Sequence, residues 1–321
     1  MSAAPRQLLK WIEVDLGALR SNARWVRSQL RPGVRLMAVV KADAYGHGAA
    51  QAAKTFLDSG AACLGVLTLD EALSLRSAGV RGTVVVLAPI LPAQAREAVR
   101  AKVEVTAASG ELLRALDRAG GRARVHVDLD YGLGRWGLPA KELPALLRAA
   151  DRLSGVRVVG ISAHLDYVPG KNAVEAEEKL RGFAAIAARE KAARPDLVCH
   201  AANSSIVLDF PHWQMDLARV GNLLYGINPT RRETPLRPPW RLTARIIALR
   251  DVPKGASIGY ASEYIAPRRM RVATLPVGYA DGLTMEPAER LIRLGHGVHY
   301  WGMLRGKKAP FVGRTGIAHV L

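Results

Sequence analysis

Lys41 is the residue whose type and setting speak first of chemistry. It follows the apolar run LMAVV (36–40) and leads straight into ADAYGHG (42–48). A lysine at the end of a buried strand, beside a glycine-containing turn and a helix start, is placed for Schiff-base chemistry. Partial burial lowers its pKa and frees the amine to attack an aldehyde. Tyr45 and the backbone N–H groups of Gly46-His47-Gly48 can approach an anion next to it. Taken alone, such a lysine is more often a solvated surface group. The reading therefore depends on what surrounds it.

The elements that must hold this lysine are legible as an alternation. Short β-branched runs recur as VRLMAVV, ACLGVLT, TVVVLAP, VEVTA, ARVHVDL, VRVVGISAHL, LVCHAA and MDLARV. Between them lie segments with apolar residues at three- and four-residue spacing, such as LDEALSLRSAG, GELLRALDRAG and VEAEEKLRGFAAIAARE. Several end in glycine, as helix C-caps do. The last two runs are joined by a short helical stretch near Ser204–Asp209. Eight such units predict an α/β fold, a (β/α)8 TIM-type barrel over residues 1–235. A doubly wound open sheet is the alternative topology. After Asn228 the segment PTRRETPLRPPW reads as a linker. RLTARIIALRDV, MRVATLPVGYA, GVHYWGML and KKAPFVGR then predict a smaller, mostly β C-terminal domain over 236–321. WIEVDL, near residue 12, is a candidate strand of that β domain placed ahead of the barrel.

The chain has 321 residues and a formal net charge of +18. The charge is dispersed, and its densest stretches, RGKK (305–308) and PRR (267–269), are short and not interleaved with aromatics. Nucleic acid is therefore not the expected partner. Cys63 and Cys199 sit in apolar runs and read as buried free thiols, with too few ligands for a metal site. No apolar stretch is long enough to span a membrane, so no membrane partner and a cytoplasmic location are expected.

AVVKADAYGHG resembles the pyridoxal-phosphate attachment motif of the alanine racemase family. Further segments match in the same order: LGVLTLDEALSLRSAG, VHVDLDYGLGRWG, GISAHL, HAANSS, LARVGNLLYG, IGYASEY and TLPVGYADG. The resemblance covers nearly the whole chain. It implies an isomerase with pyridoxal 5'-phosphate bound as a Schiff base to Lys41. Tyr45, Ser204 and the backbone around Gly221 and Asn222 would hold the phosphate, and Asn203 would also bind the cofactor. His164 would lie against the cofactor ring, Arg219 would face the pyridine nitrogen, and Arg135 would reach the phenolic oxygen. A permanently charged donor at the pyridine nitrogen keeps that nitrogen unprotonated and restrains side reactions. Racemisation needs bases on both faces of Cα. Lys41 is one, and Tyr260, from a second subunit of a head-to-tail homodimer, is implied as the other. Arg135, Tyr279 and Ile317 would contact the substrate. The implied role is the interconversion of L- and D-alanine for cell wall synthesis.

Three departures from the family pattern stand out. Asp128 occupies a strand position where the family carries a carbamylated lysine. It is expected to pair with Arg135, with Asp130 as the competing partner. Ile317-Ala318 replaces a Met-Asp pair at the substrate pocket, and Ala261 stands where glycine is usual. The sequence ends at Leu321, inside an apparent strand, so a shortened β domain is expected. Racemisation of another amino acid, decarboxylation and non-catalytic cofactor binding remain as alternatives. The decarboxylase signatures, a Cys-Glu pair and a Gly-Glu-Pro-Gly loop, are absent from the sequence.

Overall fold

The computed structural model describes residues 8–262, 264–283 and 301–321. The chain separates into two compact units, Val14–Pro239 and Met1–Glu13 with Trp240–Leu321. In the smaller unit, strand β1 (Lys10–Val14) pairs with β10 (Trp240–Ala244).

The larger unit is built on eight parallel strands. They are β2 (Arg35–Val39), β3 (Cys63–Val66), β4 (Val84–Pro89), β5 (Glu104–Ala107), β6 (Ala123–Asp130), β7 (Val156–His164), β8 (Val198–His200) and β9 (Leu217–Val220). Sequential strands pair from β2 to β8, and β9 pairs with β2. The remaining seam, β8 to β9, is bridged by Asp216 N–H to Cys199 O (3.1 Å) and Arg219 N–H to Ala202 O (2.9 Å). The sheet thus comes round on itself as a barrel, and the open-sheet alternative falls. A parallel strand pair needs a crossover, and here helices supply it. Three of them start where a side chain caps the first turn: Thr68 with Glu71 as a capping box, Ser109 accepting from Leu112 N–H, and Asn203 accepting from Ile206 N–H. Each such cap is worth about 1 kcal/mol.

Alternation along the strands sorts side chains to the two faces of the barrel wall. Leu36, Ala38, Val40, Val84, Val86, Val125 and Val127 join the large core shared with the helices. Their neighbours Met37, Cys63, Val85 and Leu217 form a separate, smaller apolar cluster. Barrel interiors are usually filled by branched apolar layers. Here much of that space goes to polar groups: Glu104, Thr106, His126, Asp128, Ser162, His200 and Arg219 are all buried. The pairing of β6 with β7 slips between Val125 and His126, which sets His126 opposite Gly160.

The smaller unit consists of antiparallel pairs. β11 (Ala248–Val252) pairs with β14 (Met270–Thr274), β12 (Ser257–Ile258) with β13 (Tyr264–Ile265), and β15 (Trp301–Leu304) with β16 (Lys307–Pro310). Ile258, Ala266, Val272 and Val312 form its small core. Residues 297–300 of the expected strand GVHYWGML lie outside the described residues. Both cysteines are buried and free. Among the described residues, no helix is long and apolar enough to cross a membrane, and no cluster of metal ligands forms.

Candidate active site

The chain leaves β2 at Lys41 and turns with the wrong hand. Ala42, Asp43, Ala44 and Tyr45 have φ of 52°, 51°, 56° and 56° with positive ψ, one turn of left-handed helix. Each L-residue there costs roughly 1–2 kcal/mol, so surrounding contacts must hold the turn. Glu71 Oε1 accepts from Ala42 N–H (2.7 Å), while Glu71 Oε2 accepts from Leu67 N–H (2.6 Å). Asp43 Oδ1 accepts from Ala49 N–H (2.6 Å) and starts the next helix. Glu71 was not a candidate from the sequence. Its signal was the capping-box spacing Thr68-x-x-Glu71.

A cavity of about 260 Å³ lies at the C-terminal ends of the strands. Lys41, Tyr45, Arg135 and His164 line it, as do Asn203, Ser204, Arg219, Gly221 and Asn222. All nine residues expected around the cofactor therefore share one cavity. Thr106, Trp136, Ser162 and Ser205 line it too and were not foreseen. Trp136, Ser162 and Ser205 lie within the segments VHVDLDYGLGRWG, GISAHL and HAANSS without having been singled out there, and Thr106 lies in none of them.

Arg219 is the best-anchored group. Its NH1 donates to His200 Nδ1 (2.6 Å) and to His200 O (2.7 Å). Its NH2 donates to Ala163 O (2.6 Å) and approaches His164 Nδ1 at 3.5 Å. A guanidinium has five N–H donors. With four committed, the Nε–H is the one left to offer. Burial first, then the charge of Arg135, pulls the Arg219 pKa down to about 10 against the upward pull of Asp128. It remains a cation at neutral pH. Burial also lowers the pKa of Lys41, helped by the charges of Arg135 and Arg219 and opposed by Glu71. Its amine is thus more readily neutral than an ordinary lysine's. Burial raises the Tyr45 phenol, which stays a donor. A Cβ on Gly221 would lie 2.2 Å from Tyr45 Oη, so only glycine lets that hydroxyl sit there. Ser204 Oγ accepts from Gly221 N–H (3.3 Å), and the Asn203 side chain is occupied as a helix cap.

The expected Asp128–Arg135 pair does not form. Asp128 Oδ1 instead accepts from Ser162 Oγ (2.5 Å), and burial raises its pKa against that bond and against the charges of Arg219 and Arg135. Asp130 does not hold Arg135 either. It accepts from the N–H groups of Gly132, Leu133 and Gly134 and folds the loop that carries Arg135. The Arg135 guanidinium lies 4.4 Å from the centre of the Trp136 ring, the alternative an arginine has to a carboxylate.

His164 is pushed down to about 3 by burial and by the charges of Arg219, Arg135 and Lys41, and His200 also lies well below 6.5 for similar reasons. Below pH 6.5 the unfolded chain binds a proton on these rings that the folded chain refuses. Stability is expected to fall as pH drops from 6.5 toward 3, where the His164 contribution levels off. Urea midpoints across that range should show this slope, reduced in a His164→Gln variant. An identical slope in the variant would count against a neutral His164.

Tyr260, Tyr279 and Ile317 belong to the smaller unit. Tyr260 sits at the β12–β13 tip, 60% exposed, with His319 6.4 Å away between ring centres. The next residue, Ala261, has φ 59°, a conformation that suits glycine better. Tyr279 and Ile317 come together because Tyr279 N–H donates to Gly316 O (3.1 Å) and Ala280 N–H to Ile317 O (3.0 Å). Gly278 permits this: a Cβ there would meet the Gly316 and Ile317 carbonyls at 2.3 Å.

Comparison with known proteins places these features. Residues 14–229 match the alanine racemase N-terminal domain family, and residues 240–317 the alanine racemase C-terminal domain family. An alanine racemase of Syntrophobacter fumaroxidans is 35% identical over 96% of this chain and 81% of its own length. That of Salinispora tropica is 40% identical over 85% of this chain and 75% of its own. The solved structure of the alanine racemase from Streptomyces coelicolor superposes with a TM-score of 0.83 at 33% identity, covering 98% of this chain and 84% of its own.

Proposed function

Because this chain belongs to the alanine racemase family, we propose that it is a pyridoxal-phosphate-dependent racemase that interconverts L- and D-alanine. The observation that carries this reading is the gathering of Lys41, Tyr45, Arg135, His164, Ser204 and Arg219 around one cavity at the strand ends.

The residues fit the cofactor. Lys41 offers a primary amine that is neutral more readily than usual, which an aldehyde requires. Tyr45, held against Gly221, offers a phenol donor, and Ser204 a hydroxyl, at the end suited to a phosphate. Arg219 offers a fixed cationic N–H, which would suit a ring nitrogen. Bound there, pyridoxal phosphate supplies an electron-withdrawing system that makes the proton on the amino acid's Cα removable.

The chain's own groups then divide the work. Lys41 Nζ, with its lowered pKa, takes or returns the proton on one face of Cα. Tyr260 does so on the other, contributed by the partner subunit of a head-to-tail homodimer. Arg219 cannot surrender its proton in the working range, so it keeps the ring nitrogen unprotonated. His164, neutral throughout that range, adds no charge beside the ring. Arg135 would hold the phenolic oxygen and the substrate carboxylate, and Tyr279 and Ile317 are the smaller unit's candidates for substrate contact. We place the enzyme in the cytoplasm, as a source of D-alanine for cell wall precursors.

One observation favours a second substrate. Ile317 is 58% exposed and apolar beside Tyr279, where the family pattern has a Met-Asp pair. An amino acid bulkier than alanine is the alternative. The test is incubation of the purified protein, with its visible cofactor absorbance recorded, with L-alanine in deuterated water. D-alanine carrying deuterium at Cα is expected. Exchange with a larger amino acid, and none with alanine, would move the assignment to the second substrate. Absence of cofactor absorbance would refute the proposal.

A further inference from the structure

Below Arg219 a line of buried polar groups runs through the barrel. His200 Nε2 lies 2.9 Å from His126 Nδ1, and His126 Nε2 lies 2.7 Å from Glu104 Oε2. Glu104 Oε1 accepts from Arg124 Nε (2.5 Å), whose side chain is half exposed. His126, His200, Glu104 and Arg219 are each less than a tenth exposed. The line therefore leads from the cavity toward solvent at the opposite ends of the strands.

Its protons can be arranged in one way only. Arg219 has donors and no acceptor, so His200 Nδ1 must accept. The single proton of a neutral His200 then sits on Nε2 and is donated to His126 Nδ1. His126 must in turn carry its proton on Nε2 and donate it to the Glu104 carboxylate, which has only acceptors. A doubly protonated His126 is excluded by the same logic. It would donate from Nδ1, force the His200 proton onto Nδ1, and set that proton against the Arg219 N–H at 2.6 Å. Such a chain is satisfied throughout, and its bonds polarise one another in one direction.

The fold makes room for it. The register slip at His126 puts that ring over Gly160, where a Cβ would lie 2.2 Å from His126 Nδ1 and 2.8 Å from Val198 O. No residue larger than glycine at position 160 leaves the ring in line.

We propose that Glu104, acting through His126 and His200, is a positioning residue that holds the buried Arg219 as an oriented donor beneath the cofactor site. This rests on the reading of Arg219 under the proposed function. Glu104 touches neither cofactor nor substrate. It closes the chain at its far end with the acceptor that matches the direction Arg219 imposes at the near end. Without it His126 Nε2–H has no acceptor, so neither orientation of the two rings is satisfied at both ends, and the bond that holds Arg219 loses its single arrangement.

The test has two independent parts. In ¹⁵N-histidine-labelled holoenzyme, two-bond ¹H–¹⁵N spectra assigned by single His variants should show His126 and His200 both protonated at Nε2 alone. This part needs no Glu104 variant and no turnover, so it stands even if the substrate assignment fails. Either ring protonated at Nδ1 would overturn the proposal. In the second part, Glu104→Leu should give mixed His200 tautomers, shift the visible cofactor band, and lower kcat about ten- to hundredfold with little change in KM, as loss of an outer supporting partner does. Glu104→Gln keeps an acceptor and should recover most of the rate and the band. A Leu variant that folds and keeps the wild-type tautomers and spectrum would overturn the role given to Glu104.

Discussion

Lys41→Ala is expected to lose the visible absorbance of the lysine-bound cofactor and to lower racemisation about 10²- to 10⁴-fold, the range for a deleted catalytic acid–base group. The effect is large because one side chain is asked to do two things. Under the proposed function it anchors the cofactor covalently and moves a proton on one face of Cα. Both need a neutral amine, and burial together with the charges of Arg135 and Arg219 favours one. Added methylamine is expected to restore part of the rate by entering the space the side chain leaves, with rescue rising as pH increases the free-amine fraction. The fold should survive the change, since the left-handed turn is held by Glu71 and Asp43 and not by Lys41. An unchanged spectrum and rate in Lys41→Ala would remove the central assignment.

The second large effect is a recovery of activity. Tyr260→Phe alone should cost about 10²- to 10⁴-fold for the same reason. Mixing inactive Lys41→Ala and Tyr260→Phe proteins under conditions of subunit exchange should restore about a quarter of wild-type activity. Half the exchanged dimers carry one subunit of each kind, and in a head-to-tail arrangement one of their two sites has both intact residues. No recovery, with exchange shown by mass labelling, would mean that Tyr260 serves its own chain's site or none. The exposure of Tyr260 at its hairpin tip accords with a partner's site.

The sequence carried much of this. Each of the eight β-branched runs became a strand, with VEVTA appearing as Glu104–Ala107 and VRVVGISAHL as Val156–His164. Alternation and three-to-four spacing are written locally, and burial of one face is enough to enforce them. The nine cofactor-site candidates came from the family resemblance, and they line one cavity because a barrel delivers every strand end to the same mouth.

Other features were not written locally. Ala42 to Tyr45 hold no glycine, so nothing in ADAY announces a left-handed turn. The turn exists because Glu71, on another strand-helix unit, accepts from Ala42 N–H. Asp128 looked like the partner of Arg135, because it stands where the family pattern places the negative charge of a carbamylated lysine. Strand pairing instead sets Asp128 beside Ser162 on β7. Glu104, His126, His200 and Arg219 lie on four strands, and no local pattern links one to the next. Their protons line up only because β5, β6, β8 and β9 face one interior, and because a one-residue slip turns His126 over Gly160. What this sequence determined by itself is what local pattern and covalent order can hold: the elements, their succession, and the residues that end them. The tertiary structure decided which polar groups meet, because a buried donor takes whatever acceptor the packing brings within 3 Å or so, and that depends on strand register rather than on neighbours in the chain.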